Sequence, residues 1–390
     1  MLCLIFLVII LNIKSNIKFN RHELAGAFGD LGTDLPLIVG VILAADLRST
    51  DVLVIFGVMQ ILTALYYQIP MPVQPLKAMS ALVIAQKLDG SILYGAGIAI
   101  GLIMLLLSVT GGLDWLARIV DKSIIRGIQF GLGLQLSLLA LKDYIPSQGI
   151  NGYILATIAF FITVIFISDR HYPAAILVII LGLIYALTSQ VNLWELMGKV
   201  NFQLPQWQAV SRENIVTGFL LLALPQIPLS LGNSILATKQ IATDLFPEKP
   251  ISIRQISLSY SLINLISPWL GGIPTCHGSG GMAGHYAFGG RTGGSVIIYG
   301  SIYLIIGLFF GPVFQEIVKV FPLPILGILL LFEGLTLILL LKDLTESTTK
   351  LSISILVGLI ACSLPYGYLI GMMIGLILVY LTNKYDLTLG

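Results

Sequence analysis

Apolar stretches recur along almost the whole chain. They fall at 22–45, 50–68, 76–88, 91–110, 123–141, 151–168 and 172–188, and again at 213–238, 253–270, 278–287, 295–314, 322–341, 350–363 and 366–382. Charged residues or Pro and Gly separate them, and a polar loop at 191–212 divides seven from seven. In hydrocarbon every backbone N–H and C=O needs a partner within the protein, so stretches of this length read as membrane helices. With 57% of residues hydrophobic and 10% charged, the fold expected is an all-α polytopic membrane protein.

The third segment of each set is too short to cross alone and follows a Pro-bearing extended stretch. Ile69-Pro70-Met71-Pro72 lies over Ile273-Pro274-Thr275-Cys276, and Leu35-Pro36-Leu37 over Ile227-Pro228-Leu229. Because seven is odd, the second set enters the membrane from the opposite side. The reading is therefore 14 segments arranged as 7+7 inverted repeats, with segments 3 and 10 as half-helices preceded by short extended stretches. Interrupted segments at matching positions of inverted repeats point to a transporter's binding site.

Placing both termini in the cytoplasm puts 14 of the 21 Lys and Arg inside and 6 outside, with Lys77 within a segment. That asymmetry agrees with the positive-inside rule and suggests an integral protein of the cell membrane. Met1 to Leu11 is apolar but lacks a basic n-region and a cleavage site, so residues 1–21 read as an interfacial lead-in.

Several classes are disfavoured. A net charge of +2 with scattered basic residues suggests no nucleic-acid partner. Cys3, Cys276 and Cys362 show no paired spacing, so neither disulfides nor a metal site is expected, and no cofactor is implied. The Gly-rich run at 271–294 lacks the Gly-Lys-Ser/Thr ending of a nucleotide-binding loop. A membrane enzyme using Cys276 and His277 lacks an orienting third group.

The prolines of Pro70-Met71-Pro72-Val73-Gln74-Pro75 hold that stretch extended, so helix begins near Pro75 or Leu76. Its first turn offers the N–H groups of Lys77 and Ala78 beside the Gln74 amide and the Lys77 ammonium. The second short helix starts near Ser279 or Gly280, after His277. Two helix N-termini aimed at one point make an anion site, and Gly278, Gly280 and Gly281 admit oxygens close to the backbone. Gly280 and Gly284 also fit a helix-packing spacing.

The first segment carries Asp30, Thr33 and Asp34 as ion-coupling candidates, either acid being expected to take up a proton or help hold a cation. Its counterpart supplies Gln226, Ser230 and Asn233, which could bind oxygens or a cation. Glu333 is a further buried acid with no evident partner and a weaker candidate for a proton relay.

At these residues the chain resembles the molybdate transporter family within the sulfate permease superfamily. The matches are 26–36, 70–78, 232–247 and 274–293. The resemblance implies a core domain (22–110 and 213–314), a gate domain (111–190 and 315–384), and substrate held between the two half-helices while core moves against gate. No C-terminal regulatory domain is expected after the last segment.

The function expected is secondary active import of molybdate, coupled to a proton or cation, with sulfate or a broader oxyanion range as the alternative and a passive anion channel as the rival class. A nucleobase permease is disfavoured because 278–284 carries no acid. A homodimer is left open.

Overall fold

A computed structural model gives the fold and describes residues 17–113, 120–166, 174–189, 193–385 and 387–388. The lead-in before residue 17 lies outside the described residues. The first half contains α1 (Arg21–Gly26), α2 (Leu31–Ala44), α3 (Ser49–Tyr67), β1 (Val73–Pro75), α4 (Lys77–Gln86), α5 (Gly90–Thr110), α6 (Lys122–Leu139), α7 (Gly149–Phe166) and α8 (Ala174–Ser189). After a short helix α9 (Leu193–Met197), the second half contains α10 (Arg212–Leu245), α11 (Ile253–Ile266), β2 (Thr275–His277), α12 (Ser279–Ala287), α13 (Gly294–Val320), α14 (Leu323–Leu339), α15 (Thr348–Ser363) and α16 (Gly367–Tyr385).

Seven helical runs among the described residues are long and apolar enough to cross a membrane. One of these, Lys122–Phe166, joins α6 and α7 through a break at Gly149, whose φ of 58° only glycine adopts easily. Shorter apolar helices lie at Asp34–Ala44, Ala174–Thr188 and Thr348–Ser363. The protein is mostly helical, and the two three-residue strands stand out against that background.

The first apolar stretch, read from sequence as one segment, is divided. Helix stops at Gly26 and restarts at Leu31, because the backbone at Gly29 runs against Gly284, where a Cβ would lie 2.4 Å from a carbonyl oxygen. Glu23 serves this junction: its buried carboxylate accepts N–H bonds from Arg291, Thr292 and Ser295, satisfying donors at the start of α13.

In α10, Pro225 and Pro228 remove two backbone donors, and wide π turns occupy Phe219–Ala223 and Ser230–Leu236 on either side. The second of these turns carries Asn233 and Ser234 into the functional region. In α13, Pro312 leaves the Leu308 carbonyl without its helical donor, and the N–H of Gln203 supplies one at 2.8 Å. The polar loop between the halves is thereby fixed to α13.

Packing follows two groups. α3 lies along α13, and α5 along α10 and α11, whereas α6 lies along α14 and α15, and α15 along α16. Close approach depends on small residues, as where Gly57 faces the Gly300 carbonyl and Gly133 the Gly334 carbonyl.

Candidate functional site

β1 and β2 pair antiparallel, with Gln74 opposite Cys276, Val73 opposite His277 and Pro75 opposite Thr275. Two strands this short cannot satisfy their outer edges, so each borrows an amide side chain from the helix before it. Gln60 of α3 donates to the Val73 carbonyl at 2.7 Å and accepts its N–H at 2.9 Å. Asn264 of α11 does the same for Thr275, at 2.7 and 3.0 Å. Both amides are fully buried. Helices α4 and α12 then leave the strand pair in opposite directions, so their N-termini flank it.

The two N-termini differ. At α4 one of the two expected open donors is occupied: Gln226 Oε1 accepts from Ala78 N–H at 3.1 Å, and also from Met79 N–H at 3.3 Å. Ser230, one turn on, holds the other end of that amide by accepting from Gln226 Nε2, and its hydroxyl is 2.8 Å from the Tyr260 hydroxyl. Ser230 is therefore a support behind Gln226 and does not line the cavity. Pro75 sits in the strand, also away from it. Lys77, the first residue of α4, reaches across to α14, where its Nζ lies 3.0 Å from Glu333 Oε1. Glu333 thus has a partner that the sequence did not disclose.

At α12 the N-terminus is open. Gly280 has nothing within 4 Å of where a Cβ would be, and Ser279 beside it is partly exposed. Gly278 makes room for the Gln74 amide, whose Oε1 would lie 1.8 Å from an added Cβ, while Gly281 makes room for Asp30. Gly284 packs on the Gly29 backbone, so the glycines divide between packing and opening the site. The His277 imidazole, at the edge of the cavity, is fully buried, 2.7 Å from Ser259 Oγ and edge-on to Tyr67. These contacts hold β2 against α11 and α3.

A cavity of about 370 Å³ opens between these elements, the volume of roughly a dozen liquid waters at ~30 Å³ each. One wall carries Asp30, Gln74, Lys77, Gln226, Asn233 and the stretch His277 to Gly280. Asp30 Oδ1 accepts from Gln74 Nε2 at 2.6 Å, joining an acid and an amide that the sequence placed 44 residues apart. Asp34 lies behind this wall, fully buried, with Tyr299 donating to it at 3.1 Å. The side chain of Thr33 lies outside the described residues.

The facing wall, from α6 and α14, carries Arg126, Gln129 and Thr336 together with Leu132 and Leu337. Sequence reading missed these three polar residues. The three-residue spacing of Arg126 and Gln129 in an apolar helix is the signal that marks this polar stripe. Arg126 donates to Gln129 Oε1 at 2.8 Å and pairs with Asp343. Lys122 shares that carboxylate at 3.4 Å, leaving net positive charge at the cavity mouth. The arrangement offers an anion backbone donors, hydroxyls and amides beside the Lys77 and Arg126 cations. Among the described residues no group of His, Cys, Asp and Glu is placed to hold a metal ion.

A family model described as "Molybdate transporter of MFS superfamily" matches residues 22–136 and 218–337. The chain belongs to this molybdate transporter family. "Molybdate transporter 2" of Arabidopsis thaliana is 33% identical, covering 91% of this family member and 87% of the relative. "Molybdate transporter 1" of Chlamydomonas reinhardtii is 26% identical, over 81% and 82%. Among solved structures, the transmembrane domain of the cyanobacterial bicarbonate transporter BicA matches with a TM-score of 0.65 at 15% identity, over 93% of this chain and 98% of that one. Murine Solute Carrier 26 family member A9, an anion transporter in the inward-facing state, gives 0.71 at 14% identity, over 99% and 72%. At such identities the likeness is one of fold alone.

Proposed function

We propose that this chain is a secondary active transporter that imports molybdate, and that the oxyanion binds in the cavity between the α12 N-terminus and Lys77. The observation that carries the reading is the meeting, in one cavity, of an uncapped glycine-lined helix start with a lysine ammonium. A helix N-terminus favours anions through its unpaired N–H groups and its dipole, and the ammonium offsets the remaining charge. Gly278, Ser279 and Gly280 contact the oxyanion, while Gln74 and Asn233 orient it. Gln226 holds the α4 start in place. The names borne by the Arabidopsis and Chlamydomonas relatives support molybdate as the substrate.

In this reading the 14 segments form inverted repeats, with α4 and α12 as half-helices whose N-termini lie near mid-membrane. The core, 22–110 with 213–314, carries the site and slides in an elevator-like movement against the gate, 111–190 with 315–384. The two packing groups and a cavity lying between them support that division. Both termini face the cytoplasm of the cell membrane, and an acid at the cavity couples transport to a proton or cation.

The test is uptake of molybdate into proteoliposomes, with excess sulfate as competitor and proton and sodium gradients imposed separately. Saturable, gradient-driven uptake that resists sulfate supports the proposal. Equal competition by sulfate replaces it with a general tetrahedral-oxyanion carrier, and non-saturable flux that follows only the anion's own gradient replaces it with a channel.

A further inference from the structure

The Lys77–Glu333 pair links the cavity wall that carries Lys77 to helix α14 of the facing group. Lys77 begins α4 on the side of the open helix start, and Glu333 sits on α14 in the facing group. The lysine side chain is 39% exposed and lines the cavity, whereas the glutamate is 16% exposed. Without a bound anion the pair is neutral and mutually satisfied, so an oxyanion using Lys77 must share or take the partner of Glu333.

Resting on the oxyanion reading of this cavity, we propose that Glu333 takes up a proton when the anion binds, making this ion pair the point where anion and proton binding are linked. The balance is simple. An ammonium–carboxylate pair, a dianion and one proton from solvent become an ammonium–dianion contact and a neutral Glu333 carboxylic acid. If the anion displaces Glu333, the carboxylate loses its counter-ion. If it settles beside Glu333, the carboxylate faces added negative charge in a partly buried place. Either geometry favours protonation, and by reciprocity the proton then favours the anion.

The surrounding charges allow this assignment. Helix α14 packs against α2, α6, α7, α8 and the turn at 140–148. From α2, Asp34 is engaged by Tyr299, and it acts on Lys77 together with Asp30 from the residue preceding that helix. From α6, Arg126 is bonded to Gln129 and Asp343, and Lys122 also pairs with Asp343. The turn at 140–148 contributes exposed Lys142 and Asp143 with buried Tyr144, while α7 and α8 contribute the phenols Tyr153 and Tyr185. Among the described residues the cation paired with Glu333 is Lys77. Asp30, the acid that lines the cavity, already accepts from Gln74, whereas Glu333 depends on Lys77, the cation the anion would use.

Calorimetric titration of the purified full chain with molybdate, in two buffers of different ionisation enthalpy, counts protons taken up per anion bound. The wild type should approach one proton, with Kd rising up to about tenfold per pH unit once free Glu333 is ionised. Glu333→Gln should bind molybdate with almost no proton uptake and a Kd nearly flat with pH. Binding by the wild type without proton uptake overturns the inference and leaves the oxyanion site standing, and that measurement does not depend on the variants folding. Uptake that persists in a Glu333→Gln variant monodisperse by size exclusion also overturns it. If neither molybdate nor sulfate binds the wild type, the oxyanion reading falls and takes this inference with it.

Discussion

The units β1–α4 and β2–α12 share a backbone plan and differ in chemistry. Each is a three-residue strand clamped by a buried amide, Gln60 in one and Asn264 in the other, followed at once by a helix. In the first, Gln226 closes the helix start and Lys77 adds a full charge. In the second, Ser279 and Gly280 leave the start open and no charged residue stands within it. One unit therefore supplies charge and the other supplies backbone donors and space. A dianion needs both, because two half-charges from helix dipoles do not offset it.

The comparison can be broken most directly at Lys77. Lys77→Ala should reduce saturable molybdate uptake by roughly a hundredfold, the effect of losing a charge-assisted contact of ~3 kcal/mol, while size exclusion still shows folded protein. Unchanged uptake would remove the charge of the first unit from the site.

The structural equivalence of the units is tested by their clamps. Gln60→Ala and Asn264→Ala each leave a buried backbone N–H and C=O unpaired, and each should cost about 2 kcal/mol, lowering the thermal midpoint by several degrees. A loss confined to one variant would show that the strands are not held alike.

Smaller effects sharpen the difference. A methyl at Gly280 enters open space among the donors of α12, so Gly280→Ala should fold normally and raise KM by roughly tenfold, about 1.4 kcal/mol of binding. Gly281→Ala, pressed against Asp30, should instead lower thermal stability. Smallest of all, Gln226→Ala should cost about 1 kcal/mol as a lost helix cap, seen as a modest drop in thermal midpoint.

Much of this was legible in the residues. The Pro-rich run at 70–75 forces extended backbone and so fixes where α4 can begin; the observed start at Lys77 follows from it. The glycines of 278–281 announced close approach, though not to what. Sequence placed Lys77 beside an anion but gave no hint of Glu333, since a pair separated by 256 positions leaves no local pattern. Ala78 was read as an open donor because Gln226 comes from the other half of the chain. The contacts of His277 with Ser259 and Tyr67 likewise come from helices distant in the chain, and no local pattern announces them.

The sequence by itself determined the membrane character, the helical class and the two interrupted segments, because hydropathy, proline geometry and glycine permissiveness act within a few residues of one another. The tertiary structure decided which donors stay open and which charges are paired. Those outcomes depend on side chains brought together from distant segments, and burial makes each such meeting count.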